Sequence, residues 1–272
     1  MAGSAISRAN VISSLKSGRP ITPWGMGISI AATYTWAASV LVGVAMLREA
    51  GIIPFILWFL ANTSAIPLFG YITLRWPGLW NASRRLPFRV IMTGFLFFIL
   101  WFNMSGIVWM NEQLGQLSTG WSQLIAIGTA LGLWALISRG GIRWSILTDI
   151  PQWFLLAGAV VVALIITVVQ NGFAVDTTLR WHSYDTVKGT LLGIWSVPLL
   201  LTALFMDGMF WQRARYIRGM RPYAIGYFLF TGYLVLVGVL SFLSITPLAM
   251  TVLFVLVYFA SQSTMLTRKS RS

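Results

Sequence analysis

Asp149 and Asp207 are carboxylates carried into long apolar stretches, and each has arginine near it in the chain. Asp149 enters the first turns of an apolar run through Gly140-Gly-Ile-Arg-Trp-Ser-Ile-Leu-Thr-Asp-Ile-Pro-Gln152. Asp207 closes another such run in Asp207-Gly-Met-Phe-Trp-Gln-Arg213. A carboxylate in hydrocarbon is costly unless it finds a partner, which makes both functional candidates. Proximity pairs Asp149 with Arg143, and Asp207 with Arg213 or another basic residue of 213–221. Two roles stay open for Asp149, Asp207 and Arg213: a structural ion pair, or a gating and coupling group that opens and closes with a transport cycle.

Two hydroxyl clusters could serve a hard cation, which takes oxygen ligands. The first is Ser29-Ile-Ala-Ala-Thr-Tyr-Thr-Trp-Ala-Ala-Ser39, in the middle of an apolar stretch. Its hydroxyls can bond back to their own helix. Alternatively the helix unwinds locally and frees carbonyls to bind an ion, as in secondary transporters with discontinuous helices. The second cluster is Ala260, Ser263 and Thr264, on roughly one face near the end of the last apolar stretch. It is either a polar helix terminus or a cation site shared with the first cluster.

Enzyme chemistry is not expected. Intramembrane proteolysis by paired aspartates needs facing carboxylates in helix interiors, and Asp149 and Asp207 both lie near helix ends. There is no phosphate loop and no nucleophile–base pair. The chain has no cysteine, and its lone histidine, His182, falls in a predicted loop. No cofactor other than sodium is expected.

The elements that must position these groups are membrane spans. Hydrophobic residues make up 57% of the chain and charged residues 9%, and the mean hydropathy is +0.79. Soluble domains are about one quarter charged, so this composition points to an integral membrane protein. Spanning helices need about 20 apolar residues, and eight stretches qualify: 22–47, 52–74, 88–111, 121–138, 145–170, 187–210, 222–244 and 246–266. With the N-terminus in the cytoplasm, only Arg48, Arg180 and Lys188 of the 19 basic residues fall outside. That is a strong positive-inside bias, and it predicts eight spans with both termini cytoplasmic. The basic residues punctuate apolar runs rather than forming a nucleic-acid patch, so no nucleic-acid partner is expected. The expected organisation is a cytoplasmic segment 1–21, one transmembrane domain 22–266 and a basic cytoplasmic tail 267–272. The first 20 residues have no short apolar core with a cleavage site, which predicts no cleaved leader. The setting is a plasma membrane or a bacterial inner membrane.

Four segments together resemble the sodium:solute symporter family, in particular its urea active transporter branch. They are Met26-Gly-Ile-Ser-Ile-Ala-Ala-Thr-Tyr-Thr-Trp-Ala-Ala-Ser39, Gly51-Ile-Ile-Pro-Phe-Ile-Leu-Trp-Phe-Leu-Ala-Asn62, Gly140 to Gln152, and Asp207-Gly-Met-Phe-Trp-Gln-Arg-Ala214. Gly208 stands where that branch usually has glutamine. The resemblance implies a LeuT-type fold of inverted repeats with a site between broken helices 1 and 6. It implies sodium ligands at the carbonyls of Ala32 and Thr35 together with Ala260, Ser263 and Thr264, and solute contacts at Trp36 and Ser39. Eight of the family's ten core helices are accounted for, a partial fold truncated at its C-terminal side. A homo-oligomer or a partner subunit would then supply the rest. The expected function is sodium- or proton-coupled symport of a small polar solute, urea-like in chemistry. The alternative is a non-transporting sensor, regulatory or scaffold subunit derived from a symporter.

Overall fold

A computed structural model describes residues 21–35, 42–44, 46–79, 81, 85–95, 141–177, 179, 186–246, 248–250 and 252–253, with backbone alone for 49, 141–145 and 186–193. These residues are mostly helical and contain no strand. The helices are α1 Pro23–Tyr34, α2 Ile52–Arg75, α3 Leu86–Phe95, α4 Gly141–Asn171, α5 Thr186–Met206, α6 Gly208–Ala214 and α7 Arg221–Phe242. A π-helical turn, Met46–Ala50, leads into α2.

Three stretches are long and apolar enough to cross a bilayer: Ile52–Arg75, Ile146–Asn171 and Arg221–Phe242. A fourth crossing results if Ile194–Met206 and Gly208–Ala214, bent by 57°, are one span. This is a helical membrane protein. The full set of eight expected spans reaches beyond the described residues. Stretch 121–138 lies outside them, and 88–111 and 246–266 are described only in part.

Two expected spans are not continuous helices. In 22–47 the helix stops after twelve residues. It begins well: Thr22 accepts the Gly25 N–H at 3.1 Å, and Pro23 occupies the first turn, where its missing N–H costs nothing. It ends at Thr35, whose backbone is extended (φ −84°, ψ 95°). In 187–210 the bend falls at Asp207, also extended (φ −90°, ψ 109°), which caps the new helix α6.

Close helix crossings bring the ends of these broken segments together. At the α1–α7 crossing a Cβ on Gly27 would lie 2.5 Å from Ile225, and one on Gly226 would lie 2.7 Å from Ile30. Glycine therefore lets the two backbones approach as no larger residue could. Tyr34, at the end of α1, packs its ring 4.7 Å from Phe230 of α7 and 5.8 Å from Phe210 of α6. Phe69 of α2 continues the aromatic core, 5.6 Å from Phe210 and 5.3 Å from Trp211.

At the opposite end of α4 the chain is pinned by backbone pairing. Gly172 (φ 64°) supplies the left-handed turn that ends the helix. Val175 then forms an antiparallel bridge with Leu243, and Ser244 N–H donates to the Ala174 carbonyl at 3.0 Å. Arg48 closes this end on Asp176 at 3.5 Å.

Candidate functional site

Three helices bring Ser29, Asp149 and Arg213 into one buried cluster. Ser29 lies in the middle of α1, Asp149 near the start of the apolar part of α4, and Arg213 near the end of α6. The Arg213 and Asp149 side chains are each 1% exposed and meet at 2.5 Å through Nη2 and Oδ2. Arg213 Nε donates to the Ser29 hydroxyl at 2.7 Å, and that hydroxyl donates to the same Asp149 oxygen. Arg213 Nη1 donates to the Met209 carbonyl at 3.1 Å, one turn back along α6. The planar guanidinium thus reads a hydroxyl and a carboxylate side by side, a geometry a lysine could not reproduce. The cluster is charge-balanced, as burial requires.

Asp149 therefore has a partner 64 positions away along the chain. Proximity alone points to Arg143, whose side chain lies outside the described residues. Arg213, one of the partners expected for Asp207, extends to Asp149, and Asp207 caps α6. Its Oδ1 accepts the Met209 N–H at 2.9 Å, at the start of α6. Trp211 Nε1 reaches back across the bend to the Phe205 carbonyl at 2.8 Å. These bonds satisfy groups that a 57° bend would otherwise strand.

The hydroxyl cluster of α1 is used internally at two positions. Thr33 donates to the Ser29 carbonyl at 2.7 Å and Thr35 to the Ala31 carbonyl at 2.8 Å. The Ala32 carbonyl, an expected ion ligand, accepts the Thr35 N–H at 3.2 Å. Of the expected site residues, Ala32 and Thr35 are buried at the break of α1. Trp36, Ser39, Ala260, Ser263 and Thr264 lie outside the described residues. Tyr34 joins the two breaks, its hydroxyl donating to the Leu200 carbonyl of α5 at 3.4 Å.

Sequence reasoning missed two members of this neighbourhood. Ser29 reads as one hydroxyl among several, and only the meeting of α1, α4 and α6 makes it the bridge of an ion pair. Gln152 stands three residues beyond Asp149 on α4, is 2% exposed, and neither its amide oxygen nor its nitrogen finds a hydrogen-bond partner. The signal for Gln152 was its position at i+3 from Asp149, which puts both on one helix face. Comparisons of the chain with protein-family models, with curated proteins and with solved structures return no match.

Proposed function

We propose that this chain is a membrane transporter coupling sodium or protons to the movement of a small polar solute, with Asp149, Arg213 and Ser29 as the latch of its cycle. One observation carries the reading. Two helices in an apolar bundle break, at Thr35 and at Asp207, and a buried cluster of Arg213, Asp149 and Ser29 ties α6, the helix beyond the second break, to α4 and to α1, the helix that ends at the first. Unwound backbone inside a membrane protein is tolerated where it lines a cavity or is covered by protein, and transporters use it for ion and solute sites.

The latch follows from its energetics. With the pair formed, α1, α4 and α6 are held together and both charges are satisfied. Parting them exposes two buried charges, which is affordable only if water enters from one side of the membrane. A latch of this kind closes one end of a solute pathway and opens with hydration. The resemblance to sodium:solute symporters fits this picture and extends it to a LeuT-type arrangement of eight spans with both termini in the cytoplasm. In that arrangement sodium sits between the carbonyls of Ala32 and Thr35 and the side of the last span bearing Ala260, Ser263 and Thr264, and solute sits near Trp36 and Ser39. Uptake by the purified protein in sealed vesicles, with and without an inward sodium gradient, tests the proposal. Solute accumulation that follows the gradient supports it. Uptake equal to that of protein-free vesicles across sugars, amino acids and amides favours the non-transporting subunit instead.

A further inference from the structure

Arg75, Arg85, Arg89, Arg218 and Arg221 are all exposed, and the fold gathers them at one end of the bundle. Arg75 closes α2, Arg85 and Arg89 lie at the start of α3, and Arg218 and Arg221 lead into α7. The end of α2 touches the start of α7, where the Thr73 and Tyr223 hydroxyls are 3.3 Å apart. The start of α3 is held to α6 by Phe88 on Trp211, ring centroids 6.1 Å apart. Asp149 and Asp207, also toward this end, are buried, and Asp176 lies beyond the far end of α4, held by Arg48. Among the described residues no exposed carboxylate offsets these five arginines.

The surroundings are those of a bilayer surface. Trp76 is 54% exposed, Leu86 73% and Val90 62%. Phe88 faces the protein, while Leu86 and Val90 face outward beside Arg85 and Arg89. Apolar anchors alternating with cations suit the boundary between acyl chains and headgroups.

Residue choice adds a further constraint. Membrane topology counts lysine and arginine alike; all five positions are arginine, as are 16 of the chain's 19 basic residues. Arginine differs from lysine in presenting a planar fork that takes two oxygens of a phosphate at once. We propose that this end of the protein binds the phosphodiester headgroups of anionic phospholipids in the adjacent leaflet, with Arg75, Arg85 and Arg89 as principal contacts and Trp76 and Leu86 seated among the acyl chains. The site is independent of the transport reading and would serve any function of the chain.

The test uses the full chain in vesicles of phosphatidylglycerol with phosphatidylcholine, against phosphatidylcholine alone. Melting temperature and binding of a labelled phosphatidylglycerol are the readouts. Wild type should melt higher with the anionic lipid, and inorganic phosphate should not replace it. Arg85→Gln with Arg89→Gln should weaken lipid binding by roughly 25-fold, about 5-fold for each arginine near a charged surface. Arg75→Lys, Arg85→Lys and Arg89→Lys together keep charge and topology but lose the forks, and should weaken binding several-fold while inserting normally. If the glutamine variant fails to insert, the lysine variant carries the test. Equal melting in the two lipids overturns the proposal. So does a lysine variant that binds as wild type, which would reduce the patch to a topology signal, and so does full replacement by inorganic phosphate, which would make it a site for a soluble anion.

Discussion

Removing one partner from the Asp149–Arg213 pair should be far more damaging than removing both. Each side chain is 1% exposed, so Asp149→Leu strands a guanidinium where little water reaches it, and Arg213→Met strands a carboxylate. Breaking a buried pair in this way costs about 3–5 kcal/mol. Replacing both by apolar residues, Asp149→Leu with Arg213→Met, removes the two desolvation penalties along with the attraction, and such exchanges are often neutral or stabilising by about 1–4 kcal/mol. The double-mutant cycle should therefore show a coupling of at least about 3 kcal/mol. Ser29→Ala deletes one hydrogen bond at each end of the hydroxyl and should cost about 1–3 kcal/mol, below either single charge removal. The assay is reversible unfolding of purified protein in mixed micelles, with the four corners of the cycle measured together. Additive effects of the two single substitutions, or single substitutions that each cost less than about 0.5 kcal/mol, would refute the claim that these groups are buried against one another.

Gln152→Met, close in shape and free of polar atoms, should raise stability by about 1–3 kcal/mol because the amide it replaces is buried and unpartnered; a lower melting temperature would mean that the amide is bonded in the membrane. Gly27→Ala places a Cβ 2.5 Å from Ile225 and should cost about 1–3 kcal/mol by overpacking, with Ile225→Ala in the same chain restoring part of the loss; a neutral effect of Gly27→Ala would contradict the close α1–α7 crossing. Reporters fused at Asn171 and at Ser272 should lie on opposite sides of the membrane, and finding them on the same side would reject the eight-span topology.

Long apolar elements were legible in the sequence because their information is local. Stretches 52–74, 145–170 and 222–244 fall within or almost within α2, α4 and α7. Breaks were harder to place. The hydroxyl cluster marks the region where α1 ends, since Thr33 and Thr35 offer their backbone alternative bonds, but the bend within 187–210 rests on Asp207 acting as a cap. Its signal, Asp-Gly ahead of an apolar turn, reads equally well as the frayed end of a span. Ion-pair partners were the least legible. Proximity along the chain favours Arg143 for Asp149, and Arg213 or another basic residue of 213–221 for Asp207, and it gives no hint of the pair between Asp149 of α4 and Arg213 of α6. That choice is tertiary: it depends on α6 turning away from α5 and aiming Arg213 across α1.

The most direct test of the transport reading joins uptake to ion binding in one preparation. Purified protein in sealed vesicles would be offered small polar solutes under an inward sodium gradient, and its melting compared in sodium and in choline at equal ionic strength. Binding of sodium to the folded state must stabilise it. A sodium-coupled transporter should show gradient-driven accumulation of at least one solute, higher melting in sodium, and loss of both in Ser263→Ala with Thr264→Val while insertion is retained. No accumulation together with identical melting in sodium and choline would contradict sodium coupling.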